Sequence, residues 1–244
     1  IYYTAFYLVS TLAAIPYSII NVSIPRLSYL LKNKGKEIYE EKLNNSISSL
    51  LFIIVPMCLG VFVLSKEIII LYAGKKYLAA IVPLMIACIT RIFISLESVM
   101  NNLVMYPNNR EDRILKVSLI CGTSNLIINY LLVTFKIFSP ITALATTGLV
   151  ELAVFITHYI YSRRKMNINV QVFSKKNMTY IILSLLFIPI SLLLRKLNLG
   201  FYITMILIII TCMLLYFIVL YIKKDNNLMF ILDKFKNKLK VGKK

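Results

Sequence analysis

Residues 197–222, LNLGFYITMILIIITCMLLYFIVLYI, contain no charged side chain. A helix of this length, rising 1.5 Å per residue, is long enough to cross about 30 Å of hydrocarbon. Six further apolar stretches of comparable length precede it, at 1–25, 46–72, 77–106, 114–135, 137–162 and 177–194. The sequence therefore predicts an all-α, polytopic membrane helix bundle with seven transmembrane helices.

Composition agrees with a membrane protein. The chain is 59% hydrophobic and only 16% charged, whereas about a quarter of the residues in a soluble domain are charged. Its formal charge of +18 lies in short loops beside the apolar stretches and in the C-terminal tail, where anionic lipid headgroups attract lysine and arginine. We therefore expect the lipid bilayer as a partner, and no nucleic acid.

The 28 lysines and arginines are distributed unevenly if the seven spans alternate in direction. Segments 26–45, 107–116, 162–177 and 223–244 together carry 21 of them, the opposite side carries six, and Arg91 lies within a span. Basic residues near the ends of spans stay in the cytoplasm. The distribution predicts an N-terminus outside and a C-terminus in the cytoplasm.

The two ends of the chain carry separate expectations. Ile1 opens inside an apolar run without a basic signal-peptide region, so we expect the chain to be the C-terminal piece of a longer protein. Residues 223–244 alternate lysines with apolar side chains, which predicts a basic amphipathic helix on the inner leaflet. Those apolar residues are Leu228, Phe230, Ile231, Leu232, Phe235 and Leu239.

Polar side chains recur on one face of the third span. They are Arg91, Ser95, Ser98 and Asn102, with Glu97 and Asn101 on the adjoining face. Steps of four and three residues keep side chains on one side of a helix of 3.6 residues per turn. Ionisable groups in a span avoid lipid and face protein or water, so this face is a candidate functional surface. Six residues separate Arg91 from Glu97, which disfavours a direct ion pair between them.

The next two spans carry similar stripes. They consist of Ser118, Gly122, Asn125 and Asn129 in the fourth span, and Thr147, Glu151 and His158 in the fifth. Small residues between amides suit close helix packing as well as a wet cavity, and both interpretations stay open. In the fifth span Glu151 is the stronger functional candidate, because His158 lies near a basic loop and fits an interfacial histidine.

Other residue types add less. The prolines at Pro16, Pro56, Pro83 and Pro189 predict interrupted or kinked helices. The four cysteines are irregularly spaced within spans and indicate neither a disulfide nor a metal site. We expect no cofactor.

Several spaced motifs resemble the polysaccharide repeat-unit flippases of the multidrug/oligosaccharidyl-lipid/polysaccharide exporter superfamily. The similar stretches are Pro25-Arg26-Leu27-Ser28, Pro56-Met57-Cys58-Leu59-Gly60, Gly74-Lys75-Lys76-Tyr77, the pair Asn125 and Asn129, and the pair Thr147 and Glu151. The chain departs from the family pattern at 139–142, where Ser139, Pro140 and Thr142 stand in place of a glycine-rich start.

The resemblance implies the C-terminal half of a fourteen-helix transporter. Residues 1–162 would supply five helices of its C-terminal lobe, 163–222 two additional helices and 223–244 a basic cytoplasmic tail. The family moves undecaprenyl-pyrophosphate-linked oligosaccharides across the bacterial plasma membrane. Implied partners are that lipid-linked substrate, the missing N-terminal lobe of the same polypeptide and a polysaccharide assembly machinery.

The resemblance also assigns candidate roles to the polar residues. Arg91 and Arg26 would contact the anionic substrate, the latter at the cytoplasmic mouth. The amides of Asn102, Asn125 and Asn129 would contact sugars. Glu151 and Glu97 would bind a coupling proton or sodium ion, as buried carboxylates do in many carriers. We expect transport rather than enzymatic catalysis.

Three alternatives stay open. A multidrug exporter of the same superfamily would have a more acidic and aromatic cavity, suited to cations. A membrane polysaccharide polymerase or glycosyltransferase would need a sizeable loop or domain for its catalytic groups, and the external loops predicted here are short. A purely structural scaffold would not need the costly Arg91 and Glu151 inside spans.

Overall fold

The computed structural model describes the backbone of residues 2–241 and the side chains of 7–11, 13, 14, 17–234 and 236. Every regular element in this part of the chain is a helix. The α-helices are α1 (Tyr2–Asn33), α2 (Lys36–Val63), α3 (Ser65–Ala73), α4 (Ile81–Val99), α5 (Glu111–Thr134), α6 (Pro140–Arg164), α7 (Lys175–Leu185), α8 (Phe187–Arg195), α9 (Phe201–Ile222) and α10 (Asn226–Val241). A 3₁₀ helix, Lys75–Ala80, precedes α4, and a π-helical segment, Met100–Met105, with a 3₁₀ turn, Tyr106–Asn108, follows it.

The structure confirms an all-α bundle of membrane-spanning character. Six helical stretches among the described residues are long and apolar enough to cross a membrane: Lys36–Val63, Lys75–Asn108, Glu111–Thr134, Pro140–Arg164, Lys175–Arg195 and Phe201–Ile222. The prediction of seven spans is therefore too high by one for this part of the protein. The first predicted span, 1–25, lies in α1, where several side chains fall outside the described residues and leave no continuous apolar window.

Helices extend well beyond the predicted spans. The predicted loop 26–45 is reduced to a turn around Gly35, whose φ of 89° is open to glycine but strained for other residues. Residues 36–45 are polar but rich in good helix formers, and Lys36 lies 3.9 Å from Glu40 one turn later. Hydropathy marks where a helix meets lipid, and it does not mark where the helix ends.

The prolines act differently from one another. Helices α1 and α2 run through Pro16 and Pro56, and Pro83 lies in the first turn of α4, where the missing N–H has no partner to lose. Only Pro189 coincides with a break, because its missing N–H leaves the carbonyl of Leu185 unpaired where α7 ends. The predicted interruption is correct at Pro189 and wrong at Pro83.

The most extensive helix contact joins α4 to α6. It is close because Gly148 on α6 faces Thr90 on α4, and a Cβ at position 148 would lie 2.7 Å from the Thr90 Oγ1. The Thr90 hydroxyl also donates to the carbonyl of Leu144 at 3.2 Å. A small residue and a side-chain hydroxyl thus hold two helices together, as is common in membranes.

Predicted loops of one side meet at one end of the bundle, here called the basic end: the start of α2, residues 165–174, the start of α7 and residues 223–227. Lys36 Nζ donates to the Met166 carbonyl at 3.3 Å, and the Asn44 amide donates to the Asn169 carbonyl at 2.8 Å. The Ser49 hydroxyl donates to Asn227 Oδ1 at 3.1 Å. The distribution of lysine and arginine assigned these loops to the same side of the membrane. The structure agrees, because the helix ends beside these loops lie together.

The tail begins at this end. Residues 226–241 form α10, so the predicted helix is present. Leu228 is buried, Ile231 and Leu232 are half-buried, and Phe230 is exposed. The side chains of Phe235 and Leu239 lie outside the described residues. The predicted position of the tail on the inner leaflet remains an expectation.

A buried ion pair closes the opposite end. Glu67 on α3 is 3% exposed, and both of its carboxylate oxygens accept from Arg195 at the end of α8, at 2.5 and 2.9 Å. Arg195 also donates to the carbonyl of Val63 at 2.8 Å. The pair joins α3 to the end of α8 through a bidentate contact, the strong geometry for arginine and a carboxylate.

The last two spans are anchored to α2. Phe52 packs edge-on against Tyr180, with ring centroids 5.6 Å apart, and the Tyr216 hydroxyl donates to the Phe52 carbonyl at 2.8 Å. Both spans are uncharged between residues 177 and 194 and between 197 and 222. One face of α9 does expose large apolar side chains, while the face that carries Tyr216 is buried against α2.

Replacing Gly148 with alanine should destabilise the protein by roughly 1–3 kcal/mol, because the added methyl overlaps the Thr90 hydroxyl. The measurement is thermal unfolding of the purified protein in detergent. Gly122→Ala is the matched control, since no atom lies within 4 Å of a Cβ there. Adding Thr90→Ala to Gly148→Ala should restore part of the loss. Equal stability of Gly148→Ala and Gly122→Ala would contradict the close contact between α4 and α6.

Arg195→Ala should cost about 3 kcal/mol of stability, because it leaves the buried Glu67 carboxylate without its donors. Lys196→Ala, one residue further and exposed, should change stability by less than about 0.5 kcal/mol. The joint change Glu67→Leu and Arg195→Leu should cost less than Arg195→Ala alone, since no charge is left buried. Matching losses for Arg195→Ala and Lys196→Ala in urea or thermal unfolding would refute the pair.

Candidate functional site

Arg91 lies inside the bundle, on the α4 face towards α1. It is 9% exposed, its Nη2 donates to the Ser10 hydroxyl, and its guanidinium lies over the ring of Tyr17 at 5.9 Å from the centroid. Both of these partners belong to α1, and the Arg91 charge also interacts with that of Glu151 on α6.

Glu97 is half-buried near the end of α4 and accepts a hydrogen bond from the Asn101 side-chain amide. Asn101 Oδ1 is buried and has no hydrogen-bond partner among the described residues. The carboxylate therefore lies beside an unused acceptor oxygen. Together they offer a set of oxygens to a proton, a water or a small cation.

The chain turns π-helical directly after this point, over Met100–Met105. Asn101 and Asn102 belong to this segment, and the Asn102 amide donates to the backbone and side-chain oxygens of Ser98, both at 3.0 Å. π-Helical turns inside α-helices occur frequently at functional sites. Sequence spacing did not predict the segment, and periodicity holds no signal for it.

Glu151 on α6 interacts electrostatically with groups on both α4 and α5. Its charge interacts with those of Glu97 and Arg91 on one side, and it lies close enough to Cys121 on α5 to influence that thiol. The carboxylate is half-buried, and it makes no hydrogen bond or ion pair with the residues the structure describes. The two candidate carboxylates are thus neighbours, brought together by the α4–α6 contact.

The two asparagines of α5 face α6. Asn129 donates to Asn125 Oδ1 at 2.9 Å and accepts from the Thr146 hydroxyl at 3.1 Å. The rest of α5 is open, since Val117 is its one buried residue and a Cβ on Gly122 would meet nothing within 4 Å. The amides thus pack against α6, whereas at Gly122 both the packing and the wet-cavity interpretations stay open.

These groups form a surface that we call the polar belt. It consists of Arg91 and Glu97 on α4, Asn101 and Asn102 on the π-helical segment that follows, Glu151 on α6, and Asn125 and Asn129 on α5. All of them except Arg91 are half-buried. Arg91 and Asn102 are eleven residues apart in sequence, which corresponds to about 16 Å along a helix.

Two predicted residues lie apart from the polar belt. Arg26 is exposed on α1, sixteen residues and about 24 Å along the helix from the Ser10 that holds Arg91. His158 is fully buried and lies close to Arg113 of α5. Its predicted position at the membrane interface stays a prediction.

The described residues contain no group of three or more His, Cys, Asp or Glu able to hold a metal ion. Sequence reasoning also missed the partners of Arg91, the Gly148–Thr90 contact and the Glu67–Arg195 pair. Glycine inside a helix was a signal for Gly148. The other partners lie far apart in sequence, and spacing within one span cannot reveal them.

Comparison with protein-family models, with curated proteins and with solved structures finds no match to this chain. Fold and composition define the class: an all-α, multi-span membrane protein with a half-buried polar belt.

Cys121 tests whether water reaches the polar belt. It is half-buried beside Glu151, while Cys58, Cys88 and Cys212 are buried. We expect a water-soluble maleimide to label wild-type protein in membranes at Cys121, and Cys121→Ala to abolish the labelling, because maleimides react with hydrated thiols.

The matched control places a cysteine on the opposite face of α5. Ile127→Cys in the Cys121→Ala background is more exposed than Cys121 and lies about 160° around the helix from Asn125 and Asn129. This variant should stay unlabelled in membranes and react in denaturant. Equal labelling at both positions, or none at Cys121, would show that the belt is not selectively hydrated.

Proposed function

We propose that this chain is part of a flippase that moves undecaprenyl-pyrophosphate-linked oligosaccharide repeat units across the bacterial plasma membrane for surface polysaccharide synthesis. The observation that carries the proposal is the polar belt. The chain's resemblance to polysaccharide flippases adds support, independent of the geometry.

The belt is energetically costly in a membrane. A charged side chain exposed to lipid at mid-bilayer costs about 2.5–3.5 kcal/mol. The belt contains three ionisable side chains, Arg91, Glu97 and Glu151, which must therefore face protein or water. A scaffold gains nothing from that cost. Half-buried carboxylates and amides on one surface suit a hydrated path for a polar substrate, since sugars and pyrophosphate cannot cross hydrocarbon unaided.

Arg91 is the proposed contact for the pyrophosphate. Arginine suits this role because its planar guanidinium binds phosphate oxygens in pairs. In the described arrangement the Ser10 hydroxyl occupies one of its donors, and α1 covers it. Binding of substrate would replace Ser10 with phosphate oxygens, which requires α1 to move away from α4.

Glu97 and Glu151 are the proposed coupling groups. Two neighbouring carboxylates repel when both are ionised, and a proton or a sodium ion between them removes that repulsion. Arg91 interacts with Glu151 as well, so substrate bound at Arg91 changes the field at the carboxylates. This shared electrostatics offers a physical link between ion and substrate.

Asn125, Asn129 and Asn102 are the proposed sugar contacts. Amides donate and accept at once, which matches hydroxyl groups. Arg26 is proposed at the cytoplasmic mouth, where an exposed cation attracts the anionic substrate. Its distance from the polar belt fits a role in capture rather than in the path.

Deleting the gene tests the function as a whole. We expect surface polymer to disappear while lipid-linked repeat units accumulate on the cytoplasmic face of the membrane. Unchanged polymer with new sensitivity to cationic drugs would move the assignment to the multidrug exporters. Unchanged lipid-linked precursors with lost polymer length would indicate a polymerase.

Point variants of the full chain test the residue roles. Arg91→Ala and Glu151→Gln should each lower polymer export roughly tenfold or more, as expected for losing a charge-assisted contact. Lys75→Ala, an exposed cation outside the polar belt, should leave export unchanged at equal membrane abundance. Normal export by Arg91→Ala or by Glu151→Gln would remove the corresponding role.

A further inference from the structure

A pocket of about 320 Å³ opens between α7 and α9 at the basic end, away from the polar belt. Its lining is mainly cationic and polar. The residues are Lys175, Lys176, Thr179, Leu220, Lys223, Lys224, Asp225 and Asn226. Below it is called the lysine pocket.

The charges in the lysine pocket do not balance. Four ammonium groups face one carboxylate, and the Asp225 side chain is already engaged: it accepts from the Tyr180 hydroxyl at 2.7 Å and from the Asn227 backbone at 2.9 Å. Lys176 lies 3.9 Å from Asp225. Among the described residues, the other three lysines have no carboxylate within salt-bridge distance.

The backbone adds to the positive potential. Lys175 and Lys176 occupy the first turn of α7, which carries no acidic residue, and the helix dipole places partial positive charge at that terminus. Cations at a helix N-terminus repel it, whereas an anion there is stabilised. Lys223 Nζ donates to the Thr179 hydroxyl at 3.5 Å, which holds this ammonium group beside the start of α7.

The location selects the kind of anion. Residues 201–222 of α9 carry no charge, and Lys223 is the first residue after them, so the pocket lies where hydrocarbon meets headgroups. Tyr221 and Ile222 are exposed beside it and offer apolar surface to an acyl chain. Basic pockets between helices at this level suit lipid phosphates.

We propose that the lysine pocket binds the phosphate of an anionic glycerophospholipid from the surrounding leaflet. Lys175, Lys223 and Lys224 contact the phosphate, and the acyl chains lie along the exposed face of α9. The site is independent of any transported substrate. It holds together the start of α7 and the end of α9, directly next to α10.

The test is equilibrium binding of phosphatidylglycerol and phosphatidylcholine to the purified full chain in detergent, measured by native mass spectrometry. Wild type should retain phosphatidylglycerol at least tenfold more tightly than phosphatidylcholine. Replacing Lys175, Lys223 and Lys224 together with glutamine should abolish most of that preference, since it removes three of the four cations that line the pocket.

The matched control removes equal charge elsewhere. Lys34, Lys116 and Lys165 are exposed lysines outside the pocket, and their joint replacement by glutamine should change the preference less than twofold. Equal loss in both triple variants would overturn the site in favour of diffuse surface charge. Replacing the three pocket lysines with arginine should preserve binding.

Two further measurements distinguish a lipid from a soluble anion and allow for misfolding of the triple variant. Millimolar inorganic phosphate should not displace phosphatidylglycerol, and full displacement would assign the pocket to a soluble anion instead. If the glutamine triple fails to elute as a single species, Lys175→Gln and Lys223→Gln are measured singly, each with an expected loss of about threefold or more. No loss in either would refute the proposal.

Discussion

Thr90 and Gly148 allow α4 and α6 to approach so closely that an added methyl group would meet the threonine hydroxyl. Arg91 follows Thr90 directly, and Glu151 follows Gly148 by three residues, so this single approach decides how the charged groups lie across the two helices. Glu97 then faces Glu151, and α1 closes over Arg91. The polar belt depends on helix separation as much as on the charged residues.

Hydropathy was sufficient to predict an all-helical membrane bundle, because uncharged stretches of twenty residues have few other stable forms. It was not sufficient for the element boundaries. Residues 36–45 are helical although polar, and a glycine turn replaces a predicted loop of twenty residues. The distinction is physical: lipid selects apolar surface, whereas backbone hydrogen bonding selects helix, and the two limits need not coincide.

The candidate site shows the same division. Residue spacing correctly placed Asn125 beside Asn129. It could not identify Ser10 as the partner of Arg91 or Arg195 as the partner of Glu67, since each pair depends on tertiary contact across many residues. Isolated stripes reveal which groups avoid lipid, and only the packed bundle reveals what they face.

The π-helical segment Met100–Met105 changes the facing directions of the side chains that follow it. Each turn bonded from residue i to i+5 holds about one residue more than an α-turn, so the facing directions of side chains fall out of phase across it. A stripe counted in steps of three and four before Val99 cannot be continued to Tyr106 and beyond. Chain length and facing direction are coupled here, and an inserted or deleted residue would reset the phase of everything that follows in this span.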